Sequence, residues 1–188
     1  MPTSSAPTIV LVPGACHSAA CYELLIPHLE AAGFSAKALT LPSINATSPK
    51  TATCADDASF IRNTVLLPLI EEGKDVLLVA HSYGGVPASA AAFGLNKRTQ
   101  SKLGNAGGIM GIVCISAILT GAEKDVSSAL GGQAPPQLMH DTVSGSSIIS
   151  THLHSRELHV AKFIFLLALC WSLNVGRPDK PLLRRSTV

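Results

Sequence analysis

The chain has 188 residues, of which 47% are hydrophobic and 14% are charged. This length and composition predict one globular domain with a sizeable core, and they exclude a disordered chain. The formal net charge of +2 gives no field suited to a polyanion, so we expect no nucleic-acid partner.

Apolar runs alternate with helical patterns along the first two thirds of the chain. The predicted strands cover residues 8–12, 35–41, 75–80 and 108–117, and the predicted helices cover residues 19–32, 55–72 and 84–94. Continuous apolar runs such as TIVLV and DVLLVA are typical of strands that are buried on both faces. Regular alternation of strand and helix predicts an α/β fold, in which a mostly parallel sheet is flanked by helices.

The predicted helix over residues 55–72 carries three local signals. Asp56 and Asp57 lie in its first turn, where negative charge is favourable to the helix dipole. Pro68 is expected to kink the helix, because proline lacks the N–H that the helical ladder needs. Gly73 is expected to end it.

A serine follows the third predicted strand directly, in the run Ala80-His81-Ser82-Tyr83-Gly84. A nucleophile presented on a tight strand-to-helix turn, a nucleophile elbow, needs small residues on both sides because neighbouring elements approach it closely. Ala80 stands where the usual Gly-x-Ser-x-Gly pattern has its first glycine. Ser82 is therefore the candidate nucleophile, and the alternative is a serine in an ordinary loop between strand and helix.

A second loop is expected at the same edge of the sheet. The first strand ends in Pro13-Gly14-Ala15, and the carboxyl ends of parallel strands form the edge at which ligands bind. Backbone N–H groups there can stabilise a developing oxyanion, and those of Ala15 and Tyr83 are the natural pair for an oxyanion hole. His17 lies close to this loop and is a candidate residue of the substrate pocket.

These two segments resemble a known family. VLLVAHSYGG together with IVLVPGACHSAACYELLIPHLEAAGF is similar to the α/β-hydrolase fold, over roughly residues 8–120. The resemblance is to small esterases related to plant methylesterases and hydroxynitrile lyases, and to fungal hydrolases of that type. It implies a serine hydrolase acting on a small carboxylic ester, with Ser82 as nucleophile and Ala15 and Tyr83 as oxyanion donors. Pro13 departs from the family, which has histidine there.

Two alternatives stay open beside the esterase. The lyases of this family usually carry a hydroxyl residue at the position of Gly14, so Gly14 favours the esterase branch. The other alternative is a catalytically inactive protein of the same fold that binds a small ligand. We expect no cofactor and no metal, and the partner is a small-molecule ester or ligand; the sequence leaves the oligomeric state open.

The partners that a catalytic serine needs are not identified. Activation requires a histidine base and an acid that orients it, and in this fold both follow the serine along the chain. The acids after Ser82 are Glu123, Asp125, Asp141, Glu157 and Asp179, and the histidines are His140, His152, His154 and His159. None of them follows a clear later strand, so the triad acid and base are left unassigned.

The alternating pattern fades after about residue 120. We therefore predict a core over residues 1–120 and a divergent, cap-like or incomplete segment over residues 121–188, with the last strands of the sheet missing. Apart from a weak candidate at residues 147–151, no strand is predicted beyond Ala117.

The remaining signals bear on the compartment. Five cysteines at scattered positions predict reduced, mostly buried thiols, and the polar start MPTSSAPT is not typical of a secretory signal. The apolar run at residues 163–173 is shorter than the ~20 residues that a membrane-spanning helix needs. We expect a cytoplasmic protein that does not bind membranes.

Overall fold

A parallel sheet lies at the centre of the described part of the chain. The structure is a computed structural model that describes residues 6–45, 52–120, 138–140 and 147–149. The sheet has four strands in the order β2-β1-β3-β4. They are β1 (Thr8–Val12), β2 (Ala36–Ala38), β3 (Asp75–His81) and β4 (Gly108–Ile115). This confirms the predicted α/β fold and the position of each predicted strand up to β4.

Six short helices flank this sheet within the described ranges. They are α1 (Ile26–Ala31), α2 (Pro42–Asn45), α3 (Cys54–Phe60), α4 (Leu67–Glu71), α5 (Gly85–Ala92) and α6 (Lys97–Lys102). A 3₁₀ turn at Ala19–Tyr22 precedes α1, a π-helical segment at Ile61–Leu66 joins α3 to α4, and a 3₁₀ turn at Ser82–Gly84 leads into α5.

The core has two halves, one on each face of the sheet. Every residue of β1 is buried, and its side chains alternate between the faces. Val10 and Val12 pack in a cluster with the buried side chains of α4, α5 and the π-helical segment. Ile9 and Leu11 pack in a second cluster with the buried side chains around α1. A strand covered on both faces explains why the sequence of β1 is apolar without alternation.

The predicted helix over residues 19–32 is divided in two. Pro27 stands in the first turn of α1, where its missing N–H breaks no helical hydrogen bond. A continuous helix would have required that N–H, so the chain forms a 3₁₀ turn first and starts again at Ile26. As a result Leu24 is 80% exposed, whereas Leu25 and Leu29 are buried.

The helix predicted over residues 55–72 is continuous but changes its pitch. The Leu67 N–H donates to the Arg62 carbonyl, five residues back, which is the hydrogen bond of a π-helix. Pro68 then stands in the first turn of α4. The widened turn accommodates the proline, and Gly73 ends the helix with φ at +77° as predicted.

Two short strands lie outside the parallel sheet. β5 (Leu138–His140) and β6 (Ser147–Ile149) pair with each other in antiparallel fashion. β6 corresponds to the weak candidate at residues 147–151, whereas β5 was not predicted. Neither extends the sheet, so the described residues provide no strand beyond β4 on that side. The division of the chain at residue 120 stays a prediction.

The cysteines differ from the expectation of mostly buried thiols. Cys16, Cys21 and Cys114 are exposed and Cys54 is half-buried, whereas Cys170 lies outside the described residues. Cys16 lies in the loop after β1, Cys21 lies in the 3₁₀ turn before α1, and Cys114 lies on β4, at the edge of the sheet. The apolar run at residues 163–173 is also outside the described residues. Within the described ranges, no helix has the length and apolarity needed to cross a membrane.

Candidate active site

Ser82 lies at the carboxyl end of β3, at the turn that leads into α5. Its φ of +51° is in the left-handed region, which costs a residue with a side chain about 1–2 kcal/mol. Its carbonyl accepts a hydrogen bond from the Ile118 N–H at 2.8 Å, and its side chain is half-buried. The chain therefore passes from strand to helix at a serine whose backbone is left-handed.

Close packing requires glycine at positions 84 and 85, directly after Ser82 and Tyr83. A Cβ atom on Gly84 would lie 2.4 Å from the Pro13 carbonyl oxygen and 2.8 Å from that of Val12. A Cβ on Gly85 would lie 2.4 Å from the Ile118 carbonyl oxygen. The start of α5 is thus wedged between the end of β1 and the segment that follows β4, and this packing holds the turn in place.

Left-handed backbone gathers at one edge of the sheet. Among the described residues other than glycine, Cys16, Ser82 and Ser116 have positive φ, at 63°, 51° and 45°. Each of them follows the carboxyl end of a strand, β1, β3 and β4 respectively. Strained backbone is typical of functional sites, and this edge is where α/β sheets bind ligands.

The loop after β1 packs against Ser82. A Cβ on Gly14 would lie 3.1 Å from the Ser82 Cβ and 3.2 Å from the His81 Nδ1. The loop is held by its own hydrogen bonds, since the His17 N–H donates to the Gly14 carbonyl at 3.3 Å and the His17 Nδ1 bonds to the Ala15 carbonyl at 2.7 Å. The structure therefore brings the predicted residues Ser82, Tyr83, Ala15 and His17 to one place.

The imidazole rings of His17 and His81 meet beside this loop. Their centroids are 6.3 Å apart and their planes are almost perpendicular, at 82°. Both histidines therefore lie beside the loop after β1, because the His81 ring also borders Gly14. The role of His17 in a substrate pocket stays a prediction.

Asp57 belongs to the surroundings of the site and was missed as such by the sequence analysis. Its side chain is fully buried and accepts three hydrogen bonds, from the Ser43 N–H at 2.9 Å, the Ser43 hydroxyl at 2.7 Å and the Tyr83 hydroxyl at 2.8 Å. A signal was available, because Asp57 lies four residues before Ile61 and eight before Val65, both buried on the same helical face. An acid in that apolar stripe must have partners from other segments.

Burial, together with hydrogen bonds to Asp57 and Cys54, raises the pKa of Tyr83 far above its ordinary value. The hydroxyl therefore stays protonated at neutral pH, where it donates to the Asp57 side chain. Burial likewise raises the pKa of the Cys54 thiol, and the effect of the nearby Tyr83 hydroxyl opposes this rise. These contacts join α3 to the turn at Ser82 through the side chain of Tyr83.

The structure assigns neither a metal site nor a triad. Within the described ranges, no group of three or more His, Cys, Asp or Glu side chains is arranged to hold a metal ion. Of the acids and histidines that follow Ser82 in the sequence, the described residues include one, His140 in β5. The acid and the base stay unassigned.

Comparison with known proteins places this geometry in a family. Residues 9–173 match the model of the alpha/beta hydrolase family. The chain is 35% identical to the probable hydrolase R7 of a Phoma species over 128 residues, which cover 68% of this chain and 49% of that protein. It is 39% identical to methylesterase 7 of Arabidopsis thaliana over 90 residues, which cover 44% of this chain and 33% of that protein.

A solved structure agrees at the level of the fold. Polyneuridine aldehyde esterase superposes with a TM-score of 0.56 at 20% identity, covering 84% of this chain and 67% of that one. The chain spans about half the length of the curated relatives it matches, 49% for the Phoma hydrolase and 49% for the alpha/beta hydrolase nvfD of Aspergillus novofumigatus. Because the family model matches most of the sequence and the parallel sheet agrees with it, the chain belongs to the alpha/beta hydrolase family.

Proposed function

We propose that this chain carries the nucleophile and the oxyanion donors of a serine hydrolase that acts on a small carboxylic ester. The observation that carries the proposal is the left-handed backbone of Ser82 at the carboxyl end of β3, packed against the Gly14–Ala15 loop. The relatives named hydrolase and methylesterase support the same reaction class. The substrate partner is a small-molecule ester.

In the proposed reaction the Ser82 Oγ attacks the ester carbonyl carbon. A C–O bond forms, and the electron pair of the carbonyl moves to its oxygen, where the N–H groups of Ala15 and Tyr83 donate to the negative charge. The N-terminus of α5, which begins three residues after Ser82, favours the same charge. Collapse of the intermediate expels the alcohol, which takes the serine proton through a histidine base, and water then releases the acid from the acyl-serine.

The space around Gly14 favours ester hydrolysis over the lyase alternative. The resemblance associates the lyases with a hydroxyl residue at this position. Here a side chain would begin 3.1 Å from the Ser82 Cβ and 3.2 Å from the His81 ring, so one of these neighbours would have to move. With glycine at position 14, the loop after β1 places no side-chain hydroxyl beside Ser82 at this point.

Labelling with a fluorophosphonate probe tests the proposal. The matched control is Ser116→Ala, because Ser116 also has left-handed backbone and also follows a strand of the same sheet. We expect the probe to add to the wild-type chain and to Ser116→Ala, but not to Ser82→Ala, as measured by intact mass. Hydrolysis of p-nitrophenyl acetate should fall by about 10⁴-fold or more in Ser82→Ala, since removal of a triad serine eliminates the covalent route.

Each other outcome has a definite meaning. A folded wild-type chain that takes up no probe would show an inactive member of the family and overturn the proposal. Labelling that survives in Ser82→Ala would place the nucleophile elsewhere. Release of benzaldehyde from mandelonitrile without hydrolysis of p-nitrophenyl acetate would establish the lyase instead.

A further inference from the structure

Asp57 presents an energetic problem that its helix does not explain. Its carboxylate is fully buried, and no lysine or arginine of the described part of the chain forms an ion pair with it. Burial of an unpaired charge is costly unless hydrogen bonds replace the lost water. All three hydrogen bonds that do so come from outside α3, so the carboxylate serves contacts between segments rather than the helix that carries it.

One of these contacts reaches the proposed oxyanion donor. Tyr83 follows Ser82 directly, and its hydroxyl donates to Asp57 Oδ2 at 2.8 Å while its ring packs against the core cluster of that face. The turn at Ser82–Gly84 is a single 3₁₀ turn, whose own hydrogen bonds restrain it weakly. Anchoring the far end of the side chain limits rotation of the Tyr83 backbone, and with it the direction of the N–H.

The other contacts connect the same carboxylate to the loop of the second donor. Asp57 binds the N–H and hydroxyl of Ser43, in the short helix α2 that follows β2. Three residues earlier, the Thr40 hydroxyl accepts a hydrogen bond from the Ala19 N–H at 2.9 Å, at the end of the loop that holds Ala15. The loop of Ala15 and the turn of Tyr83 are therefore both tied to the segment from Thr40 to Ser43.

We propose that Asp57 is a positioning residue that sets the Tyr83 backbone N–H relative to the Ala15 loop, so that both donors meet the same oxyanion. The inference rests on the proposed function, because it assigns a role within that reaction. Asp57 touches neither substrate nor nucleophile. It acts through the Tyr83 hydroxyl on one side and through Ser43 on the other.

The test compares the two tyrosines of the chain. Tyr83→Phe removes the hydroxyl that reaches Asp57 and keeps the ring, whereas Tyr22→Phe removes a buried hydroxyl that donates to the Val12 carbonyl at 3.5 Å. The readouts are the rate constant of fluorophosphonate labelling, kcat and KM for p-nitrophenyl acetate, and Tm. We expect Tyr83→Phe to lower the labelling rate constant and kcat about tenfold and to change KM by no more than about twofold. This decrease in kcat is smaller than the 10²–10³-fold decrease that removal of an oxyanion donor causes, because the Tyr83 N–H is still present.

A second pair of variants separates positioning from support of the fold. Asp57→Asn keeps the shape and one acceptor oxygen, so it should retain more of kcat than Asp57→Leu at a temperature where both are folded. The Tyr22→Phe control should keep the wild-type kcat. Equal labelling rates in wild type and Tyr83→Phe would overturn the inference alone, as would an equal loss in Tyr22→Phe. A wild-type chain that takes no probe would overturn the proposed function, and the inference with it.

Discussion

The backbone of Ser82 combines an energetic cost with a specific presentation of its side chain. A φ of +51° is unfavourable for serine, yet three contacts hold it there: the hydrogen bond from the Ile118 N–H and the packing of Gly84 and Gly85 against neighbouring backbone. Such strain persists only where the surroundings determine the conformation. Ser82 therefore lowers the stability of the chain while its hydroxyl is held at the carboxyl end of β3.

Comparison of Ser82→Gly with Ser82→Ala measures this strain. Both variants lack the hydroxyl, so their difference reports the backbone alone. Glycine avoids the Cβ penalty of about 1–2 kcal/mol in the left-handed region but loses about 0.5–1 kcal/mol through its freedom in the unfolded chain. We expect Ser82→Gly to be more stable than Ser82→Ala by about 0.5–1 kcal/mol in urea unfolding.

The matched control uses a serine in ordinary helical backbone. Ser89 lies within α5, where glycine should be about 1 kcal/mol less stable than alanine. The two positions should thus give differences of opposite sign. A glycine variant at residue 82 that is less stable than the alanine variant would contradict the left-handed turn and remove the main support for the proposed function.

The start of α3 decides where the buried carboxylate of the site lies. Thr53 and Asp56 form a reciprocal cap: the Thr53 N–H donates to Asp56 Oδ2 at 2.7 Å, and the Asp56 N–H donates to the Thr53 hydroxyl at 3.3 Å. The cap fixes the first turn of the helix, and Asp57 is the next residue along that turn. The stability of this element is therefore connected to the placement of Tyr83.

The cap should make the stability of the chain depend on pH. Hydrogen bonds from the Thr53 hydroxyl and then from its backbone N–H hold the pKa of Asp56 below its ordinary value. On acidification the unfolded chain takes up the proton first, at about pH 3.9. The contribution of ionised Asp56 is thus complete above that pH and is lost as the pH falls through the lower pKa of the folded state.

Thermal unfolding of wild type and Asp56→Asn at several pH values tests the direction of this pH dependence. At pH 7 the wild-type chain should have the higher Tm, and the difference should close as the pH falls below about 4. In a Thr53→Ala background, where the hydroxyl donor is absent, the same substitution should produce a smaller pH-dependent difference. A difference in Tm that is constant from pH 7 to pH 3 would contradict the role assigned to the cap.

At the scale of the whole molecule, the elements that the sequence predicts well are those whose signal is local. β1 and β3 are continuous apolar runs bounded by turn residues, and both lie where the pattern predicts them. α6 was missed because its sequence KRTQSK has no apolar periodicity and buries one side chain, Gln100. Its helix depends instead on the cap at Asn96, whose side chain accepts from the Thr99 N–H at 2.9 Å.

The candidate site shows the same division between local and distant signals. Ser82 and its glycine neighbours are contiguous in the sequence, so a motif can identify them. The network of Asp57 joins Ser43 and Tyr83, which are 14 and 26 residues away from it along the chain. Sequence reasoning assigned Asp57 to the helix dipole, because only the packing of α3 against α2 and α5 shows which donors face its carboxylate.

The two halves of the core should contribute separately to stability. Leu11 of β1 and Leu78 of β3 are both fully buried, but they belong to clusters on opposite faces of the sheet. We expect Leu11→Ala and Leu78→Ala each to lower the free energy of unfolding in urea by about 2–5 kcal/mol, since each leaves a cavity in a closely packed cluster.

Leu24→Ala is the matched control: its side chain is 80% exposed, and its effect should stay within about 0.5 kcal/mol. A small effect at either buried leucine would contradict a sheet covered on both faces, because a solvent-facing leucine loses little on truncation.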